Sequence, residues 1–177
     1  LEEAKALLAE AGYPNGEGLP IIDVLYPTSE NVKIIAEAIQ EMWRSQLGIN
    51  VELVNEEWKV YLDSMNTLNY HLALSVWIGD YVDPNTFLDM FETNNGNNRT
   101  GWSNPEYDRL LRQAARTGDQ EERFALFQWM EAILVEEAPM LPVYFYTSVA
   151  LMNASVKGWY PTILDNHPYK YVYLEAE

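Results

Sequence analysis

Hydrophobic and polar positions recur along this chain with two periods, and each change of period marks a change of element. Residues 2–11 place Ala4, Leu7, Leu8 and Ala11 on one helical face, and Gly12 is set to end that helix in a left-handed turn. The turn-rich YPNGEGLP then leads into IIDVLYP (21–27), a short apolar run that reads as a strand. From Ser29 to Leu47 the spacing predicts a long helix. Its stripe is Val32, Ile35, Ile39, Met42, Trp43 and Leu47, and Gly48 is its stop. INVELVNE (49–56) alternates with a period of two and predicts a second strand. In EWKVYLDSMN the helical period returns, with Trp58, Tyr61, Leu62 and Met65 on one face. HLALSVWIG (71–79) alternates again and predicts a strand over 71–78 that ends at Gly79. Strands alternating with helices in this order predict an α/β fold, with a mixed or parallel sheet flanked by helices.

The second half is more helical. Asp83 with Pro84 opens a short helix carrying Phe87, Leu88 and Phe91. ETNNGNNRTG is a polar loop; its Asn98-Arg99-Thr100 matches a glycosylation sequon, a pattern common by chance. Ser103 and Glu106 have the spacing of a capping box with Pro105 in the first turn, and Asp119 with Glu122 repeats the arrangement. The helix after Asp119 turns inward Leu126, Trp129 or Met130, Ile133 and Leu134, so the two helices read as an αα-hairpin. LPVYFYTSVALMN (141–153) predicts a strand or a bent strand pair, and YKYVYL closes the chain as a short strand.

Charge narrows the partners. The 177 residues carry 27 acids against 11 Lys plus Arg, a formal net charge of -16. That field repels nucleic acid and anionic membrane, and favours neutral, zwitterionic or cationic ligands. No apolar run approaches the roughly 18 residues of a membrane span, so no direct membrane insertion is expected of this segment. There is no cysteine, hence no disulfide scaffold and no thiolate metal site. The chain opens directly in a helix, without an initiator methionine, as if cut from something longer.

Catalytic constellations are missing from the pattern. There is no HExxH, P-loop or GxSxG, and His71 and His167 lie far apart. Asp80, Asp83, Asn85 and Asp89 depart from the EF-hand spacing and lack its central glycine. What remains is VWIGDYVDP (76–84), where Trp77 and Asp80 stand at a predicted strand end, the place where α/β proteins set ligand-contacting groups. Trp58 and the Tyr144-Phe145-Tyr146 run supply further aromatic surface. A carboxylate among aromatic walls is a receptor for an ammonium group, while the walls alone also suit stacked sugars. The plainer alternative is a core tryptophan beside a strand-end acid.

VWIGDYVDPNTFLDMF, NNGNNRTGWSNPEYDRLL, APMLPVYFYTSVALMN and LGINVELVNEEWKVYLD together resemble the C-terminal portion of the extracytoplasmic oligopeptide-binding proteins of ABC importers. The resemblance covers the whole chain, with the motifs in the family's order. It implies a periplasmic-binding-protein-like second lobe over residues 1–146, and a segment, 147–177, that returns to a first lobe whose remainder is absent. It implies an extended oligopeptide captured between lobes, a membrane permease as partner, an extracytoplasmic location, a monomer, and neither cofactor nor catalysis. Residue by residue, Asp80 matches the acid that receives the peptide's α-amino group. Trp58 and Trp77 match pocket walls, and Tyr146 matches a ligand-contacting tyrosine near the hinge. Two arginines that line pockets for acidic side chains in the best-known members are matched here by Met65 and Leu74, and a histidine of that region by Val32. The lining is therefore expected to be uncharged. Oligosaccharide, dipeptide or metal-chelate binding on the same scaffold, and a carboxylate-dependent hydrolase, stand as alternatives.

Overall fold

A computed structural model describes residues 1–175 and divides the chain into two compact units, Leu1–Ser75 and Val76–Glu177. Ala176 and Glu177, the last two residues of the expected 147–177 segment, lie outside the described residues.

The first unit is α/β. Helix α1 (Glu2–Glu10) ends as its sequence predicts, with Gly12 at φ +94° and the N–H groups of Gly12 and Tyr13 donating to the carbonyls of Ala9 and Leu8. This pair of bonds is a Schellman motif, which satisfies carbonyls that a helix end leaves free. Strand β1 (Ile22–Pro27), helix α2 (Glu30–Leu47), strand β2 (Val51–Glu56), helix α3 (Trp58–Asn66) and strand β3 (Leu72–Ala73) follow. The sheet has the order β2-β1-β3 and both pairings are parallel. Val24, Leu25 and Tyr26 of the central strand are buried; Leu25 forms a core cluster with Tyr61 and Met65 of α3. Ala36 is the buried residue of helix α2, whereas Met42, expected on its stripe, is exposed. Gly48 ends α2 at φ +70°, and a Cβ there would meet the Asn15 carbonyl oxygen at 2.0 Å, so only glycine lets that loop close on the helix end.

The third strand is much shorter than the alternation over 71–78 predicts. Its pairing with β1 covers Val24↔Leu72 and Leu25↔Ala73, and the Leu74 N–H still donates to Leu25 O at 2.8 Å. The next rung in this register would need an N–H from Pro27, which has none. The Tyr61 hydroxyl takes that place, donating to Leu74 O at 3.0 Å.

The second unit is built on the predicted αα-hairpin, α5 (Pro105–Ala114) and α6 (Gln120–Glu137), preceded by the short α4 (Asn85–Leu88). Its core joins Leu88, Phe91, Tyr107, Leu110 and Leu111 to Leu126, Phe127, Met130 and Leu134. Met130 takes the inward position and Trp129 the outward one, and Phe127 joins the core face. Fully buried Tyr107 donates to Leu88 O at 2.7 Å, and burial raises its phenol pKa. The cap of α5 is Asn104, not Ser103: its Oδ1 accepts from Glu106 and Tyr107 N–H at 2.8 and 3.1 Å. Pro105 at the first helical position fixes that register. The cap of α6 is Asp119 as predicted, accepting from Glu122 N–H at 2.9 Å. In the sequon, the Asn98 amide is spent inside the loop, donating to the carbonyls of Phe91, Glu92 and Trp102.

Residues 141–153 form no strand, contrary to the pattern's prediction. Alternation makes a strand only beside a second strand that can complete its ladder. Among the described residues, sheet pairing beyond Val76 is confined to β4 (Val156–Lys157) and β5 (Tyr173–Leu174), which are antiparallel. Phe145 and Leu151 are each 98% exposed.

Candidate functional site

In the first unit the parallel sheet fixes where candidate residues fall. The strands β1, β2 and β3 end at Pro27, Glu56 and Ala73, so the segments leaving them emerge from one edge. Val32 lies in the first turn of α2 after β1, Trp58 opens α3 after β2, and Leu74 follows β3. This is the carboxyl edge at which open α/β sheets bind ligands. Trp58 is 56% exposed, while Leu74 and Val32 are half-buried. Met65 differs: at 6% exposure it belongs to the core cluster with Leu25 and Tyr61.

Tyr61, which the sequence offers only as a core residue, ties these positions together. Its ring stacks on Trp58 with centroids 5.6 Å apart, its hydroxyl holds Leu74 O, and its buried body shares the cluster with Met65. Offset stacking and a satisfied hydroxyl together fix an exposed indole that would otherwise rotate freely.

In the second unit the residues of VWIGDYVDP separate into roles. Asp83 is committed to structure: Arg123 of α6 donates to its two oxygens at 2.6 and 2.8 Å, and Asp83 Oδ1 also accepts from Asn85 N–H at 2.9 Å. The guanidinium hydrogen bonds hold the Asp83 carboxyl below its ordinary range. Arg123 lies 4.5 Å from the Phe127 ring centroid, a cation–π contact that seats the pair on α6. Asp89 is likewise engaged, accepting from the Tyr81 hydroxyl at 2.6 Å and from the Asn85 amide at 3.1 Å. Asp80 alone of these acids stays uncommitted. Its side chain is exposed and, among the described residues, no hydrogen bond or ion pair engages its carboxylate. Its backbone is fixed nonetheless, the N–H donating to Thr86 Oγ1 at 2.9 Å. Half-buried Trp77 donates from Nε1 to Thr86 O at 2.8 Å. Tyr146 lies in the extended 141–153 stretch and is 59% exposed.

The chemistry of this arrangement is reception. An exposed acid with a fixed backbone and no resident cation can take an ammonium, and an indole pinned by its N–H offers a rigid apolar wall. Among the described residues, no group of three or more His or acidic side chains is placed to hold a metal ion.

The sequence profile of the bacterial extracellular solute-binding proteins, family 5 (middle region), matches residues 1–99. The chain belongs to that family. It is 43% identical over 161 residues to the dipeptide-binding protein DppE of Bacillus subtilis, a match covering 91% of this chain and 29% of that protein. Among solved structures, a periplasmic oligopeptide-binding protein of Borrelia burgdorferi superimposes with a TM-score of 0.90 at 40% identity, over 98% of this chain and 35% of that one. The oligopeptide-binding protein OppA of Haemophilus influenzae, in complex with RPPGFSPFR, superimposes with a TM-score of 0.88 at 34% identity, over 98% of this chain and 34% of that one. The fold is thus that of the periplasmic oligopeptide-binding proteins, with flanking helices and a small C-terminal sheet. The chain spans about a third or less of the length of these relatives.

Proposed function

We propose that this chain is the peptide-engaging part of the solute-binding component of an ABC peptide importer, acting outside the cytoplasmic membrane. Its task is capture and delivery to a membrane permease, not catalysis. Asp80 receives the α-amino group of an extended peptide. Trp58 and Trp77 wall side-chain pockets, and Tyr146 contacts the ligand. Leu74 and Val32 give an uncharged lining that Met65 backs from the core. Residues 147–177 return to the first lobe of the whole protein. The observation that carries this reading is the contrast within one segment: Asp83 and Asp89 are consumed by internal bonds, whereas Asp80 is exposed and, among the described residues, held only through its backbone. Support comes from family membership and from the peptide held by the Haemophilus influenzae relative. Peptide main chain supplies most affinity in such capture, which leaves side-chain tolerance broad.

Mass spectrometry of what the full-length protein carries on purification tests the ligand class. Short peptides with free N-termini are expected. A glycan or a metal chelate in their place would overturn the peptide assignment.

A further inference from the structure

We infer that Thr86 is the positioning residue of the amino-group receptor, setting Asp80 and Trp77 in register through one buried side chain and one carbonyl. This inference rests on the anchor role proposed for Asp80.

Thr86 is 1% exposed and is one of two buried polar residues among the described ones, the other being Ser64. Burial of a hydroxyl is costly unless it is hydrogen-bonded, so its partner matters. That partner is the Asp80 N–H, at 2.9 Å. The same residue's carbonyl accepts from Trp77 Nε1 at 2.8 Å. Two side chains three residues apart, an indole and a carboxylate, are therefore referenced to a single point.

The third branch of Thr86 fixes the turn between them. A Cβ at Gly79 would meet Thr86 Cγ2 at 3.0 Å and the Phe87 ring at 3.3–3.4 Å. Gly79 is needed for this close approach rather than for any left-handed backbone. Thr86 is itself held from below. Its N–H donates to Asp83 O at 3.2 Å, and Asp83 is clamped by Arg123 of α6. A continuous line of bonds thus runs from the hairpin core through Arg123, Asp83 and Thr86 to the receptor. A carboxylate on a short side chain has little reach, so its usefulness depends on where its backbone stands. Thr86 determines that position without touching the ligand.

The test uses the full-length protein and two tripeptides that differ only in N-acetylation, with affinities from calorimetry. Thr86→Val replaces the hydroxyl by a methyl and leaves the carbonyl in place. It is expected to weaken the free-amine peptide about tenfold, the scale of one lost hydrogen bond, and the acetylated one less than about twofold. Thr86→Ser keeps the hydroxyl and should restore free-amine affinity to within about threefold of the parent. In an Asp80→Ala background Thr86→Val should add no further loss, because a positioning residue has nothing left to position. Gly79→Ala approaches the same contact from the other side. It should weaken free-amine peptide selectively, and adding Thr86→Ser should recover it by removing the methyl that the new Cβ meets. That pair decides the matter if Thr86→Val does not fold. Parent-like binding by Thr86→Val or by Gly79→Ala, or equal loss for both peptides, overturns the inference. If Asp80→Ala itself fails to distinguish the two peptides, the anchor role fails instead, and the two failures are told apart by that arm.

Discussion

Asp80, Asp83 and Asp89 show how three acids in one short stretch acquire different work. The sequence sets Asp80 at a predicted strand end and Asp83 at a helix start, with nothing to say which acid finds a partner. Arg123, forty residues on, consumes Asp83 in the turn before α4, and Tyr81 with Asn85 consumes Asp89. No local pattern announces those partners, so the strand-end position of Asp80 is legible in the sequence while its freedom from internal bonds is not. Thr86 and Tyr61 were hidden for a related reason: each looks like an ordinary element residue until its bonds to Trp77, Asp80, Trp58 and Leu74 are seen. At this scale the proposed uncharged lining makes its own prediction. Val32, Met65 and Leu74 offer no cation to a buried carboxylate, and a carboxylate desolvated without a partner costs more than about 1.4 kcal/mol, or tenfold in affinity. Peptides differing by Asp against Leu at that pocket should therefore bind the full-length protein at least about tenfold more weakly in the acidic form. Equal affinities would remove these residues from the lining.

Element limits set by local chemistry follow from the sequence. Gly12 and Gly48 stop α1 and α2, and Asp119 caps α6, as their chemistry dictates. Two misplacements had legible causes. Pro105 at the first helical position assigns the cap to Asn104, and Pro27 denies β3 its next rung although the strand's own alternation runs on to 78. A strand's length belongs to its neighbour as much as to itself. The Arg123–Asp83 clamp is an element-scale device, joining α6 to the turn before α4, and it is pH-dependent in a definite direction. Asp83 is depressed in the folded state, so its contribution is fully present above the unfolded carboxyl's pKa of about 4 and is lost as pH falls through the lower folded value. Arg123→Ala should destabilise the protein by about 1–2 kcal/mol at pH 7, as expected for a partly buried charge-assisted pair. In thermal unfolding, the stability gap between parent and variant should begin to narrow as pH falls below about 4 and close only below the lower folded value of Asp83, apart from the pH-independent loss of the Phe127 contact. A gap that stays constant down to pH 2 would mean that the clamp is not the ionic pair described.

For the whole molecule, the first unit's α/β order follows from its alternating periods, whereas the extended stretch 141–153 does not follow from its own. That stretch has the composition of a strand but, among the described residues, no strand beside it, and its apolar side chains, Phe145 and Leu151 above all, stand exposed. Periodicity describes which face a residue would turn inward; it does not supply the partner. Charge, by contrast, acts at this scale directly: a net -16 favours a ligand that brings an ammonium. We propose Asp80 as the group that receives that ammonium. Calorimetry of free and N-acetylated forms of one tripeptide, on full-length parent protein and its Asp80→Ala variant, tests it most directly. Loss of a charge-assisted hydrogen bond predicts at least about tenfold weaker binding of the free-amine peptide to the variant, with the acetylated peptide changed by less than about twofold. Equal losses for both peptides, or none for either, would rule out Asp80 as the receptor.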